Sequence, residues 1–435
     1  MEKKINHKIE CINDNEIKEK LFFVLHFPKQ KDKRNSTEAP RNLSVRRNTE
    51  KYTKSIVALL EKEREASQYI RGIDACASEI GCRPEVFGQY YRYLLDYSAP
   101  VRKSKTSSLR ATYHAGEDFL DIVDGLRAID EAILFCGLNR GSRLGHALAL
   151  GISAADYYRF KGDILVMPKQ DFLDNLAWML VKKEQYGCPA DEKLKSLLEQ
   201  KFYELFYEVY SSEFLQYRSV TYLDYYNSWM LRGDNPENYL LESEEFEHRL
   251  TSVPLQNLLR YDFNDAVSDT VRRNEKCRKL FMLYHYDDQV RRKGEKEAIF
   301  KVPCGYASLV RAIQDKMIQE LVCKGIGIET NPSSNYLIGP LQKYEEHPII
   351  RFNGRKLKET ETNMSLQVSI NTDDQGVFDT SLENEYALMT IALKKAKSED
   401  EQYKYDMEDI YAWVDYVRRM GITQAFSDSP ELKNI

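Results

Sequence analysis

Paired cysteines, surplus basic charge and long apolar runs are all missing from this chain of 435 residues. Its eight cysteines stand singly, with no Cys-x-x-Cys spacing. That excludes a zinc ribbon and points to reduced thiols rather than a disulfide framework. Without Pro-Cys-x-x-Cys, the zinc site of cytidine-type deaminases is excluded too. Lys and Arg number 63 against 68 Asp and Glu, a formal net charge of -5, so no global positive field exists to hold nucleic acid. Only the stretch from Lys29 to Arg47 is locally basic, and it reads as a solvated loop. No segment approaches the roughly 20 apolar residues that cross a bilayer. The opening Met1-Glu2-Lys3-Lys4 lacks the apolar core of a signal peptide. With 42% hydrophobic and 30% charged residues, the expectation is a cytoplasmic chain with one large domain carrying insertions, or two domains, and no membrane partner.

What is present is a rhythm. Residues 1–19 are polar and offer no core strand. Leu21 to Phe27, closed by Pro28, reads as a buried strand, and Tyr52 to Gln68 carries helical spacing. A second strand, Tyr69 to Ile73, runs into Asp74-Ala75-Cys76-Ala77-Ser78-Glu79, and Pro84 opens an aromatic-rich helix. A third strand, Leu109 to Tyr113, delivers His114-Ala115-Gly116-Glu117, followed by a helix with Ile122, Leu126, Ile129 and Ile133 on one face. A fourth ends in Arg143-Leu144-Gly145-His146. Alternating strand and helix is the mark of a parallel α/β architecture. The rhythm breaks from 154 to 302, a Tyr-rich stretch with helical pattern and no strand-ended motif, read as an insertion or a separate helical domain. It resumes with a helix from Tyr306, a strand from Gly325 ending in Asn331-Pro332-Ser333-Ser334-Asn335, and a strand from Leu366 ending in Asn371-Thr372-Asp373-Asp374. The expected division is 1–153, first part of a barrel; 154–302, helical insertion; 303–435, second part of the barrel and a closing helix.

The strand ends therefore collect His114, Glu117, His146, Ser334, Asn335, Asp373 and Asp374 at one rim. In a parallel α/β barrel that rim is where catalytic groups gather. Imidazoles and a carboxylate can hold a metal that acidifies a bound water, and a nearby glutamate can move protons. Taken singly, each piece has a plainer reading: Asp373-Asp374 as a turn before a helix, His146 as a hydrogen-bonded histidine, Asn331-Pro332-Ser333 as turn chemistry.

Four stretches together, YHAGE, SRLGHALALG, IETNPSSNYLIG with a following HPI, and SINTDDQGVFDTSLENEY, resemble the adenosine deaminase branch of the amidohydrolase superfamily. There the corresponding motifs run HAGE, RIGHG, E-x-CPxSN and TDDP in the same order. GIDACASE is similar to the family's GIDLAGDE, with Ala77 in place of a glycine whose backbone N–H contacts the purine. More narrowly, GIDACASEIGCRPEVFGQ, YHAGEDFLDIVDGLRAIDEAI and TDDQGVFDTSLENEYALM look like the deaminase subunits of RADAR antiphage defence systems. The resemblance covers most of residues 20–155 and 303–395.

It implies a TIM-type (β/α)8 metal-dependent hydrolase barrel with a large helical insertion. It also implies zinc-dependent hydrolytic deamination of adenosine or adenine nucleotides (ATP, dATP) to inosine forms, by a bacterial cytoplasmic homo-oligomer with an ATPase partner in antiphage defence. By resemblance, His114 and Asp373 would be zinc ligands, with Asp373 also holding the attacking water. Glu117 would protonate a purine ring nitrogen and His146 would orient or deprotonate the hydroxide. Asp374, Ala77, Ser334 and Asn335 would bind substrate. The sequence departs from the family in one respect. No two of its seven histidines are spaced His-x-His, the first-strand pair that supplies two zinc ligands, and six strands are countable where a closed barrel has eight. His7 and His26 are not expected to substitute. The expectation is a barrel lacking its first two strands, so the alternative function is a catalytically incomplete fragment or scaffold subunit.

Overall fold

The computed structural model describes residues 2–12, 21–32, 39–62, 64–97, 109–214, 220–252, 258–357, 365–398 and 402–426. Part of the basic loop expected between Lys29 and Arg47 thus lies outside the described residues, as do 13–20 of the polar leader.

Six strands form one parallel sheet: β1 (Phe23–Pro28), β2 (Ile70–Cys76), β3 (Arg110–Ala115), β4 (Arg143–His146), β7 (Gly327–Thr330) and β8 (Val368–Ile370), hydrogen-bonded in that order. These are the six expected strands. Their short apolar runs are buried, as parallel strands covered by helices require; Ala111, Tyr113, Leu144, Ile328 and Val368 are all at most 1% exposed. The fold is thus α/β with a parallel sheet, consistent with a TIM-type deaminase. Among the described residues β1 and β8 share no ladder.

The helix Ile122–Cys136 shows how sequence fixes packing here. Ile122, Leu126, Ile129 and Ile133 recur every three or four residues, all buried, each side chain contributing roughly 1.5–3 kcal/mol relative to exposure. Gly137, in the left-handed conformation at φ 70°, ends it.

Between β4 and β7 the chain leaves the sheet for 180 residues and returns to the adjacent position, Arg143 pairing with Gly327. The stretch expected to be wholly helical is mostly so, with long helices Lys169–Tyr186 and Glu192–Phe214. It is bracketed, however, by an antiparallel ribbon of β5 (Ile164–Pro168) and β6 (Glu297–Lys301). Alternate residues of each ribbon strand face the core, here Leu165, Met167, Ala298 and Phe300. One hydrophobic core runs from the sheet into this stretch through Phe172, Leu176 and Trp178, with a smaller cluster around Phe246 and Phe281. The described part of the leader forms no strand, as expected, but its helix Glu2–Glu10 buries Ile5 and Ile9 one turn apart. One further expectation needs correction. The helix expected from Tyr52 begins at Leu43, because Val45 already belongs to its buried face.

Candidate active site

The site stands at the C-terminal ends of the strands. His114 is the fifth residue of β3 and presents its ring toward β4, where Gly145 lies opposite in register. A side chain at Gly145 would put a Cβ 2.9 Å from His114 Cγ, so the glycine is what lets the imidazole fit. The chain then turns through Gly116 at φ 80°. Glu79 holds that turn: one carboxylate oxygen accepts from Gly116 N–H at 2.8 Å and the other from Glu117 N–H at 3.1 Å. This places the Glu117 side chain over β4.

His146 ends β4 in the left-handed conformation, φ 64°, and Ala147 follows at 49°. Asp373, after β8, sits at φ 56° and Ala77, after β2, at 79°. Such backbone costs of order 1–3 kcal/mol at a non-glycine residue and persists where surrounding structure enforces it. The Ala77 value also explains why a glycine occurs there in the motif it resembles. Four rim residues share the strain.

The side chains converge. His146 Nδ1 is 2.8 Å from Glu117 Oε1 and 2.7 Å from Asn335 Nδ2; Asn335 Nδ2 also lies 3.3 Å from Glu117 Oε1. His146 Nδ1 thus faces both the Glu117 carboxylate and the Asn335 amide N–H, while Nε2 lies 3.3 Å from Asn331 Nδ2 and 3.7 Å from Asp373 Oδ2. The rings of His114 and His146 are 4.9 Å apart. His114, His146 and Asp373 each offer one donor atom, all within 4.8 Å of one another. Three protein donors is the number a catalytic zinc takes, so the cluster fits such a metal when His146 is counted with His114 and Asp373.

Two residues behind the rim fix the His114 ring. Its Nδ1 lies 3.0 Å from both oxygens of Asp74, a carboxylate wholly buried on β2. That leaves Nε2 as its remaining donor, the arrangement in which metal-binding imidazoles are held. Burial pushes the His114 pKa down, but Asp74 more than reverses this and holds it at about 9. Burial likewise opposes charge on Asp74, and His114 followed by His26 keeps its carboxyl well below the usual range. On the other side, Asn335 Oδ1 receives Nε2–H of His347 at 3.0 Å, while His347 Nδ1 accepts from Ile349 N–H at 3.2 Å. Burial first, then His146, lowers the His347 pKa to about 3, so it is a neutral imidazole with a defined tautomer.

Of the residues expected from sequence, His114, Glu117, His146, Asn335 and Asp373 meet directly. Asn335 is committed to protein partners. Ser334 Oγ is buried without a hydrogen-bond partner. Asp374 and Ala77 stand exposed at the rim. Asp74, Glu79 and His347 were not singled out in the sequence; the acidic Asp74 and Glu79 inside GIDACASE were the available signal.

Residues 308–407 match the family model for adenosine deaminase. This span holds Ser334, Asn335, Asp373 and Asp374, so the deaminase similarity covers the β7 and β8 side of the rim. Over 125 residues the chain is also 31% identical to an adenine deaminase of Rhizobium etli, covering 28% of this chain and 32% of that relative. The chain thus spans about a third of the length of the curated relative it matches. Both similarities support a deaminase hydrolase of the adenosine deaminase family. No described helix is long and apolar enough to cross a membrane.

Proposed function

We propose that this rim performs hydrolytic deamination of an adenine ring, carried by adenosine or an adenine nucleotide such as ATP or dATP, to the inosine form. The observation that carries the reading is the convergence of His114, His146 and Asp373 within 4.8 Å, with Glu117 hydrogen-bonded beside them. A zinc ion bound there supplies an acidified water, and hence hydroxide near neutral pH. His114, held by Asp74, and Asp373 would hold it, joined by His146 where a third protein donor is taken, and Asp373 would also place the water. His146 Nε2 faces the same point and orients the water or takes its proton. Glu117 delivers a proton to a ring nitrogen, which makes the adjacent carbon electrophilic. Asp374, Ser334 and the backbone of Ala77 bind the ring. Asn335, through its bonds to His146 and Glu117, positions both.

A homo-oligomer belongs to the same reading, and the ribbon supports it. Ile164, Val166 and Ile299 face outward and are exposed. The bond from Val302 N–H to the Asp163 carbonyl, 2.8 Å, sets an alternation that turns the backbone groups of Glu297, Ile299 and Lys301 away from β5. Two β6 edges paired about Ile299 on a two-fold axis set each Glu297 opposite the other copy's Lys301. Sedimentation of Ile299→Glu, expected to be the smaller species, checks this. An antiphage role, an ATPase partner and a bacterial cytoplasmic location join the proposal through sequence resemblance alone.

The deciding experiment is zinc per chain by elemental analysis, followed by assay for inosine products from adenosine, ATP and dATP. Bound zinc with product formation, with product and one zinc equivalent per chain lost in His114→Ala, supports the enzyme. Absence of zinc after zinc is supplied overturns it in favour of the incomplete fragment or scaffold.

A further inference from the structure

A second group of metal-type donors lies one strand away from the rim site. His26 on β1 is in register with Asp74 on β2, and Cys76, two residues on, shares Asp74's face of the strand. His26 Nδ1 is 2.9 Å from Asp74 Oδ2 and 3.2 Å from Cys76 Sγ. The three donors, imidazole, carboxylate and thiol, all lie within 4.8 Å of one another.

The decisive detail is the Asp74 oxygen. Asp74 is wholly buried, and Oδ2 has imidazole nitrogens at 2.9 and 3.0 Å, yet it receives no well-aligned hydrogen bond. A buried carboxylate oxygen without one is costly. A cation bonded to the oxygen's lone pair removes that cost without needing N–H alignment. The two distances from His26 Nδ1 are slightly shorter than the matching edges of a zinc tetrahedron, about 3.3–3.6 Å. Only a few tenths of an ångström of spreading is needed, and His26, with 54% of its side chain exposed, is free to supply it.

We propose that His26, Asp74 and Cys76 form a second metal site, selective for a thiolate-accepting divalent ion of the zinc type, with its fourth position open to water. The ligand set excludes magnesium and calcium, which take oxygen donors. Asp74 belongs to both clusters: a metal on Oδ2 leaves Oδ1 on His114, so occupation of this site reinforces the orientation of the His114 ring. The site rests on its own three residues and not on the deaminase reading.

Cobalt(II) is the probe, because of the two clusters found among the described residues this one alone carries sulfur. The full chain, stripped with chelator and titrated with cobalt, should develop a thiolate-to-cobalt charge-transfer band together with the intense visible bands of tetrahedral cobalt. Cys76→Ser should abolish the charge-transfer band, and His26→Ala should abolish or strongly shift it, while circular dichroism shows each variant folded. His114→Ala should retain it. No charge-transfer band in the parent chain, or a band unchanged in Cys76→Ser, overturns the proposal. Loss of deamination in His114→Ala with the band retained would show the two sites failing separately.

Discussion

Arg127 and His146 are both about 1% exposed, and the chain treats them in opposite ways. Arg127 sits where the helix Ile122–Cys136 meets the inserted helices, and all its nitrogens are used. Nε donates to Asn175 at 2.9 Å, and the two terminal nitrogens donate to Glu131 at 2.8 Å and Asp124 at 3.0 Å. Arg83 bridges the same two carboxylates at 2.8 Å each, and Trp229 caps Glu131 at 2.9 Å. Nearby, Arg232 grips Asp174 with two bonds of 2.6 and 2.9 Å. At the rim, by contrast, His146 stands on left-handed backbone with Nε2 held only by Asn331 Nδ2 at 3.3 Å, Ser334 Oγ lacks a partner, and Asp373 faces solvent. Buried charge therefore does not mark a site by itself. A network satisfied at all but Arg83 Nη2 holds the fold; donors left open at strained strand ends hold something for a substrate.

The sharpest way to break this contrast is to remove one member from each region. Arg127→Met leaves Glu131 and Asp124 under-compensated in the interior and should cost about 3–5 kcal/mol, read from the denaturant midpoint. Glu117→Gln should leave that midpoint nearly in place while lowering deamination about 10²–10⁴-fold. If both variants lost stability alike, the distinction would collapse. Asp74→Asn tests the residue behind the rim: zinc affinity at His114 should fall about 10–100-fold, measured by competition with a chelator.

Proton linkage sharpens the comparison, since the two regions should respond to acid with opposite sign. His347 has a folded pKa of about 3, below its ordinary value of 6.5. Its contribution to stability is present above pH 6.5 and erodes as pH falls toward 3. Asp121, buried under the hydroxyls of Tyr158 (2.7 Å) and Tyr306 (3.1 Å), is pushed by burial up to about 6 from 3.8. Its contribution is present below pH 3.8 and is lost as pH rises through 6. Urea midpoints between pH 4 and 7 should fall less steeply on acidification in His347→Gln and more steeply in Asp121→Asn than in the parent; equal slopes would refute the assignment. The smallest effect is expected at Ala77. Glycine there relieves left-handed strain, and after the entropic cost of glycine the gain is about 1 kcal/mol or less.

Much of this was legible in the chain itself. The sheet strands announced themselves because each is a short apolar run ending in polar, turn-forming residues, and His114, His146 and Asp373 fall just where those runs stop. The ribbon escaped because each strand is only five residues long and half exposed; Ile164-Leu165-Val166-Met167-Pro168 runs straight into a helix at Lys169. The partners of His114 were hidden for another reason. Asp74 lies 40 residues away and acts through register between β2 and β3, which no local pattern encodes. His347 reads as an ordinary residue before a proline until burial makes it a neutral donor to Asn335.

The ribbon has a bearing on how such a chain can diverge. Its strands run antiparallel, so residue 163 and residue 302 are hydrogen-bonded neighbours. The sheet registers only where the chain departs and where it comes back. Sequence added or removed in the exposed turns between Pro168 and Glu297, away from Phe172, Asn175, Trp178, Trp229 and Arg232, leaves the spacing of β4 and β7 unchanged. Lineages can rewrite the outer part of that stretch, in length and in surface, while inheriting the rim intact.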